Sequence, residues 1–198
     1  MINVIRKFWI LFNRMTFSVK GISYGKNMRV CNHLYLNLKG NNNISIGNGF
    51  TFASGSGYNA LSRNIKGAIE MEKGASLVIG DNVGISSSCL RIYDYLKIGD
   101  YTKIGADSII LDSDGHSLDY QVRMTPNDRK NSISKGINIG HNVLIGTRCI
   151  ILKGVTIGDR AIIGSGSVVT KSIPADCIAA GNPCKVIKYI NIEDSANE

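Results

Sequence analysis

The chain has 198 residues, 43% of them hydrophobic, which suits one domain with a substantial core and excludes a disordered chain. No apolar run reaches the roughly 18–20 residues that a membrane-spanning helix needs, so an integral membrane protein is excluded as well. Lysine and arginine total 23 against 15 acidic residues, and the resulting charge of +8 favours an anionic partner. The five cysteines contain no C-x-x-C pair, which argues against a disulfide framework or a zinc site and indicates a reducing cytoplasm.

Residues 1–20 are predicted to form an amphipathic helix with basic residues interspersed. Four apolar side chains share one helical face: Ile5, Phe8, Phe12 and Met15. The segment is too short to span a bilayer and lacks a small-residue cleavage site, so we do not interpret it as a signal peptide. Two interpretations stay open: a cap on the open end of the following domain, or an interfacial helix that contacts an anionic membrane through residues 1–18.

A period of six residues follows, first in degenerate form around Val30 and later with regular isoleucines. Ile79 and Ile85 share one frame, and Ile98 begins a second frame 13 residues after Ile85. Because 13 is two sixes plus one, we expect an inserted residue near Tyr93–Tyr95.

From residue 139 the period is strict, and its first position holds only β-branched residues: Ile139, Ile145, Ile151, Ile157, Ile163 and Val169. The side chain four residues after each of these positions is mostly small. Cys149 holds this position after Ile145, and Cys89 holds it after Ile85 in the earlier part of the repeat. We therefore expect both thiols to be buried. Short strands separated by tight turns satisfy a period of six, whereas a helix cannot.

One stretch breaks the period, because the 29 residues from Ile110 to Ile139 are not a multiple of six. Residues 111–137 must therefore leave the repeat, and they form a polar loop that contains His116. A loop of this length in a compact solenoid is commonly functional. The other two histidines, His33 and His141, are expected to be solvated surface residues.

The repeat and the segment IGDRAIIGSGSVVTKSIPADCIAAGNPCKVIKYI resemble the hexapeptide-repeat acyltransferases, in particular the galactoside, maltose and xenobiotic acetyltransferases and the polysaccharide O-acetyltransferases. The resemblance implies an all-β fold, a left-handed parallel β-helix of hexapeptide coils over residues 21–174. A protruding loop, a short N-terminal helix and a short C-terminal extension over residues 175–198 would complete it. Since parallel strands usually have right-handed crossovers, the left hand comes from the resemblance alone. A homotrimer is expected from the resemblance and from geometry, because a groove between two packed β-helices can hold the long coenzyme arm.

The resemblance also places a catalytic histidine at the start of the loop, where His116 stands. It implies transfer of an acetyl group from acetyl-CoA to a sugar hydroxyl, with His116 as general base and no metal. The amide of Gly146 is a candidate donor to the oxyanion. Candidates for binding the acceptor are Ser87, Asp94 and Asp114. For Asp112, Asp114 and Asp119 three roles stay open: orientation of His116, binding of sugar hydroxyls, and simple solvation of an acidic loop.

Coenzyme A carries phosphates, so its site needs cations and exposed amides. By resemblance, the residues that line its pantetheine arm are Gly146, Thr147, Ser165 and Thr170. The residues that meet its phosphates are, by the same resemblance, Lys171, Lys185 and Lys188. Leu144 stands where many relatives carry tryptophan, so the shape of this groove differs from theirs.

We therefore expect a cytoplasmic O-acetyltransferase of capsule, exopolysaccharide or lipopolysaccharide biosynthesis, either free or at the inner face of the membrane, that binds no nucleic acid. N-acetylation of a nucleotide-linked amino sugar is the alternative within the same class. A non-catalytic β-helix assembly module would need neither the loop histidine nor the coenzyme motif. A γ-class carbonic anhydrase would need three histidines around zinc, and His33 and His141 lack the required spacing.

Overall fold

The computed structural model describes residues 2–55, 57–63 and 65–190, and most of them form a solenoid of six coils with three short strands each. The first three coils contain β1 (Ser23–Tyr24), β2 (Arg29–Cys31), β3 (Tyr35–Leu38), β4 (Asn43–Ile46), β5 (Thr51–Ala53), β6 (Ala68–Met71), β7 (Ser76–Ile79), β8 (Gly84–Ser86) and β9 (Cys89–Ile92). The next three contain β10 (Tyr95–Ile98), β11 (Lys103–Ile104), β12 (Ile109–Leu111), β13 (Ile137–Ile139), β14 (Leu144–Ile145), β15 (Ile150–Leu152), β16 (Thr156–Ile157), β17 (Ile162–Ile163) and β18 (Val168–Val169).

The strands stack into three parallel sheets that form the sides of a triangular prism. Sheet A contains the first strand of every coil, sheet B the second and sheet C the third. We name the edges of the prism by the sheets that meet there, so that the C–A vertex lies opposite sheet B. The parallel β-helix expected from the sequence is confirmed.

The core consists of aliphatic columns, because register pairs place equivalent residues of successive coils above one another. Ile110 and Ile151 are paired on sheet C, and Ile104 and Ile145 are paired on sheet B. All four are at most 2% exposed. Full burial of such a side chain contributes about 1.5–3 kcal/mol, which is why the six-residue period dominates the sequence.

The third coil departs from this spacing. Leu90 is the register partner of Ile110, so the step from Ile85 to Leu90 is five residues, whereas the equivalent step from Ile104 to Ile110 is six. The next step, from Leu90 to Ile98, is eight residues where six are regular. One deletion and two insertions therefore give the single net insertion that the sequence predicted.

This deletion makes the prediction for Cys89 wrong. A shift of one residue along a strand moves a side chain to the opposite face, and the side chain of Cys89 is half-exposed on β9. Ser88 takes the inward position instead, where its hydroxyl donates to the carbonyl of Gly105 at 3.0 Å. Cys149 is fully buried, as predicted.

The helix α1 (Ile2–Val19) packs against the open edge of the first coil. The carbonyls of Met28, Val30 and Asn32 point away from the second coil, because β2 has a partner strand on one side only. Asn13 Nδ2 donates to Val30 at 3.0 Å and to Asn32 at 2.9 Å, and the Arg14 guanidinium donates to Met28 at 2.7 Å. Side-chain donors of α1 thus replace the amides of a preceding coil.

The face of α1 that packs is not the apolar face. Phe17 is fully buried and Asn13 is 2% exposed, whereas the predicted apolar face of Ile5, Phe8, Phe12 and Met15 points to solvent. His33 is half-buried with its ring edge-on to Trp9 at 5.9 Å, so its prediction as a solvated residue is wrong.

Two segments leave the solenoid. The first excursion lies between β5 and β6 at the B–C vertex and contains a 3-10 turn, Ala60–Ser62. The second excursion, residues 112–136, leaves at the C–A vertex and contains α2 (Tyr120–Arg123) and a 3-10 turn, Arg129–Asn131. Its position matches the predicted break in the repeat.

After the sixth coil, β19 (Cys177–Gly181) extends sheet B and β20 (Cys184–Tyr189) returns antiparallel beside it. This hairpin accounts for the described part of the predicted C-terminal extension. Residues 191–198 of that prediction lie outside the described residues, as does Met1 of the predicted helix.

Candidate active site

His116 lies near the start of the second excursion, with its side chain 58% exposed. Its Nδ1 is 2.5 Å from Asp128 Oδ2, and the other oxygen of the same carboxylate accepts from the amide of Ser117 at 2.8 Å. Asp128 therefore fixes both the ring and the backbone beside it. When Nδ1 carries the hydrogen of this bond, Nε2 has the free lone pair that a general base needs.

The pKa of Asp128 is lowered, chiefly by the hydrogen bond from His116 and next by the amide of Ser117. Asp128 consequently stays ionised at neutral pH. An ionised carboxylate on Nδ1 holds the ring in one tautomer and stabilises the imidazolium that forms when Nε2 accepts a proton.

The three aspartates considered for orienting His116 have other partners. Asp112 is 1% exposed and accepts from the amides of Tyr93 and Asp94 at 2.7 and 2.8 Å. Burial raises the pKa of Asp112. Asp114 forms an ion pair with Lys153. Asp119 accepts from the amide of Gln121 and caps α2. None of the three contacts His116, whose ring is oriented by Asp128 instead, and Asp112 is buried rather than solvated.

These aspartates close the neck of the second excursion. The Asp94 carboxylate accepts from the amide of Gly136 at 3.0 Å, and the Asp112 carbonyl accepts from the amide of Lys135 at 2.8 Å. Lys135 and Gly136 directly precede β13, so both ends of the excursion are tied to the same vertex. The segment that carries His116 is thereby held in place at both ends.

Two of the three acceptor candidates lie at the vertex of His116. Asp94 is exposed between β9 and β10, and Asp114 lies within the excursion itself. Ser87 lies at the B–C vertex and is fully buried. Its hydroxyl accepts from the amide of Gly55 at 2.7 Å and anchors the first excursion. The structure does not bring Ser87 to His116.

The candidate coenzyme residues Gly146, Thr147 and Ser165 line one groove of about 390 Å³ on the outer face of sheet B. We call it the sheet-B groove. The floor of the groove carries no side chain at Gly105 or Gly146, because only glycine fits at these two positions. A Cβ on Gly105 would come within 2.6 Å of the Gly146 carbonyl carbon, and one on Gly146 within 2.6 Å of the Ser165 amide nitrogen. Leu144, 47% exposed, forms part of its wall.

The basic candidates divide between two places. Lys188 is the register partner of Ile178 and Lys185 that of Ala180, so both exposed lysines extend the outer face of sheet B beyond the groove. Thr170 and Lys171 instead follow β18 at the C–A vertex. The residues predicted to bind coenzyme A thus lie partly on sheet B and partly on the vertex of His116.

His116 and the sheet-B groove lie on opposite parts of the same chain, because the C–A vertex faces away from sheet B.

The other two histidines lie at different places from His116 and from each other. His141 Nδ1 accepts from the amide of Asp100 at 3.0 Å on the outside of the solenoid, and His33 lies beside α1. The three histidines do not form a shared site.

Residues 136–171 match a known family, described as bacterial transferase hexapeptide with six repeats. This segment is similar to the hexapeptide repeats of bacterial transferases. The hexapeptide repeat covers the strands from β13 to β18 and includes the groove residues Gly146, Thr147 and Ser165. The resemblance to hexapeptide-repeat acyltransferases is thereby confirmed.

Two curated relatives share sequence with the chain. The galactoside O-acetyltransferase of Escherichia coli K12 is 41% identical over 124 residues, which are 61% of this chain and 58% of the relative. The polysialic acid O-acetyltransferase of Escherichia coli O1:K1 is 39% identical over 126 residues, which are 63% of this chain and 40% of the relative. The chain therefore spans less than two thirds of either relative.

Two solved structures share the fold. An N-acyltransferase from Bacillus cereus, in complex with dTDP-4-amino-4,6-dideoxyglucose and coenzyme A, has a TM-score of 0.69 at 20% identity and covers 92% of each chain. A galactoside acetyltransferase in complex with coenzyme A has a TM-score of 0.50 at 28% identity, covering 87% of this chain and 67% of the other. The expected left-handed β-helix is confirmed by this likeness.

Sequence reasoning missed Asp128 and Lys153. Asp128 is twelve residues from His116, and its role depends on how the second excursion folds back on itself. Lys153 lies at the turn after β15 and reaches Asp114 from the next coil. A usable signal exists only for Lys153, since the period of six places residues 152–154 at the same vertex as the excursion.

Proposed function

We propose that the chain is an acetyl-CoA-dependent O-acetyltransferase that transfers an acetyl group to a sugar hydroxyl in the synthesis of a surface saccharide. The observation that carries this proposal is the pair of His116 and Asp128 at the head of the second excursion. The O-acetyltransferase names of the two curated relatives and the coenzyme A in the galactoside acetyltransferase structure support it.

The chemistry requires one base and one site for the oxyanion. His116 Nε2 accepts the hydroxyl proton while the sugar oxygen attacks the thioester carbonyl carbon. The resulting oxyanion needs a hydrogen-bond donor. The amide of Gly146, the candidate predicted from the sequence, already donates to the carbonyl of Ile163 at 2.8 Å within sheet B, so it is not free for this role. The intermediate then collapses, the carbon–sulfur bond breaks, and the coenzyme thiolate leaves and takes up the proton. No covalent enzyme intermediate is needed.

We assign the donor to the sheet-B groove. Gly146, Thr147 and Ser165 would line the pantetheine arm along the bare floor, and Lys185 and Lys188 would meet the phosphates at its end. Thr170 and Lys171 would contribute from the C–A vertex. The acceptor would lie beside His116, where Asp94 and Asp114 are the remaining candidates for its hydroxyls.

A homotrimer would bring His116 and the sheet-B groove together. Because His116 and the sheet-B groove lie on opposite parts of one chain, a complete site needs the C–A vertex of one copy against sheet B of the next. A threefold ring repeats this contact three times and closes. Each of the three sites would then take its base from one copy and its groove from a neighbour.

The test is acceptor-dependent release of coenzyme A thiol from acetyl-CoA, with neutral oligosaccharides and amino sugars as acceptors. We expect release with a hydroxyl acceptor and a product that hydroxylamine cleaves, because hydroxylamine attacks esters and leaves amides intact. A hydroxylamine-resistant product would favour the N-acetyltransferase alternative. Absence of release with every acceptor, while coenzyme A binds, would favour a non-catalytic module.

A further inference from the structure

The outer face of α1 is a continuous apolar surface that no other described part of the chain covers. Seven large hydrophobic side chains on it are between 45% and 86% exposed: Val4, Ile5, Phe8, Leu11, Phe12, Met15 and Val19. At 100° per residue these positions fall within an arc of about 120° and run the length of the helix. Scattered exposed hydrophobics are ordinary, but a stripe of this size marks an interaction surface.

The orientation of α1 is fixed, so this face cannot turn inward. Asn13, Arg14 and Phe17 hold the opposite face, with four hydrogen bonds from Asn13 and Arg14 to the three open carbonyls of the first coil. Rolling the helix would leave those carbonyls without donors and would expose Phe17, which is fully buried. The outward stripe is therefore part of the folded structure.

The charge of the chain is concentrated around this helix. Residues 1–69 contain nine lysines and arginines and no acidic residue, since Glu70 is the first one in the sequence. Residues 70–198 contain the other 14 basic residues and all 15 acidic ones, a balance of −1. The net charge of +8 thus comes entirely from α1 and the first coils. Exposed cations near α1 are Arg6, Lys7, Lys20, Lys26 and Arg29.

We propose that α1 binds an anionic lipid bilayer, lying in the plane of the surface with its apolar stripe inserted among the headgroups. Basic residues on an amphipathic helix attract the negative surface of such a membrane, each contributing about a fivefold gain in binding when close to it. No helix among the described residues is long and apolar enough to cross a membrane. A second copy of α1 is the less suitable occupant, because it would bring two acid-free basic surfaces together.

Trp9 makes the test direct, since it is the only tryptophan of the chain and lies half-buried in α1 between the stripe and His33. The full chain is mixed with vesicles of phosphatidylcholine alone or with about 30% phosphatidylglycerol. Binding is followed by sedimentation and by Trp9 fluorescence. We expect binding and a blue shift with the anionic vesicles, and weaker binding as salt screens the charges. No acceptor or coenzyme is present, so the outcome is independent of the acetyl-transfer proposal.

Two variants separate the apolar from the electrostatic part. Phe8→Ser with Phe12→Ser should weaken binding at least about tenfold, because each removes a buried ring from the lipid. Lys7→Gln with Lys20→Gln should weaken binding to anionic vesicles about 25-fold, at about fivefold per charge, and should flatten the salt dependence. Val78→Ser is the matched control, since Val78 is 41% exposed on sheet A, away from α1, and should bind as the wild type.

Equal binding to neutral and anionic vesicles, or no binding to either, would overturn the proposal. A loss of oligomeric state in the Phe8→Ser and Phe12→Ser variant, measured by light scattering without lipid, would also overturn it. That result would mean that a second copy of the chain covers the stripe.

Discussion

At the scale of single residues, the pairing of His116 with Asp128 has two consequences. The imidazole gains a fixed tautomer, and the carboxylate gains a donor that lowers its pKa. An acid whose pKa is lowered by folding gives stability that is present above its unfolded pKa and is lost as the pH falls through the lowered value. At neutral pH the pair is therefore intact with Asp128 ionised, whichever charge state the ring has.

We expect His116→Ala to lower turnover by roughly 10²–10⁴-fold, the usual share of a general base, without loss of coenzyme binding or of the fold. The side chain is mostly exposed and fills no core position, so the thermal midpoint should change little. The wild-type rate should rise with pH, because only the neutral imidazole can accept the proton. Thiol release, with calorimetry for coenzyme binding, measures both. Turnover above about a third of wild type would remove His116 from this role.

Asp128→Asn should lower turnover at least about tenfold, because an amide can donate to Nδ1 and so favour the wrong tautomer. It should also move the acidic limb of the rate–pH profile to lower pH, since the protonated ring loses its anionic partner. Asp119→Asn is the control, because Asp119 caps α2 and does not contact His116. An unchanged profile in Asp128→Asn would mean that Asp128 serves only to hold the loop.

At the scale of strands, outward-facing and inward-facing residues of one coil contribute differently to stability. Ile109 and Ile110 are adjacent on β12, but Ile109 is 40% exposed and Ile110 is 1% exposed. Ile110→Ala should cost about 2–5 kcal/mol of unfolding free energy, because it leaves a cavity in the column. Ile109→Ala should stay within about 1 kcal/mol of wild type. Chemical denaturation compares them, and equal losses would contradict the assigned register.

The C-terminal hairpin offers a test of the donor site. Lys185→Glu should raise the Michaelis constant for acetyl-CoA by about tenfold or more, because it replaces a cation by an anion near phosphate. The constant for the acceptor should change little, and salt should reduce the difference. Lys97→Glu, an equal charge change on the outer face of sheet A, is the control. Equal changes in both constants would make Lys185 an ordinary surface residue.

The sequence predicts the regular parts of this fold and not the irregular ones, for physical reasons. Stacked isoleucines such as Ile145 and Ile163 repeat one local pattern, so their burial follows from the period alone. The side-chain direction of Cys89 depends on a one-residue deletion that only register pairs reveal. The packing face of α1 is set by the open carbonyls of the first coil, which favour Asn13 over larger apolar neighbours.

The same distinction applies to the site. His116 stands where the period stops, so its position can be predicted, and Gly146 stands inside the period. Asp128 cannot be predicted in this way, because its contact with His116 depends on the fold of a non-repeating excursion. That the base and the groove face away from each other follows from the order of sheets around the prism, which becomes clear once residues are assigned to sides and vertices.

At the scale of the whole molecule, the proposed function depends on this separation of His116 from the sheet-B groove. A single copy presents a base without a groove at the C–A vertex and a groove without a base on sheet B. The proposed function therefore requires neighbouring copies of the chain to share their sites, and light scattering should return a trimer. If two copies share each site, mixing two inactive variants should restore activity, whereas a site contained within one copy would not allow this.

The most direct measurement is the activity of mixed assemblies of two inactive variants, His116→Ala and Ser165→Trp. Ser165 is exposed in the sheet-B groove, so tryptophan there should block the donor without disturbing the core. In equal, random mixtures each site needs an intact base from one copy and an intact groove from the next, so thiol release should recover to about a quarter of wild type. A mixture that stays as inactive as either variant alone would contradict the shared site.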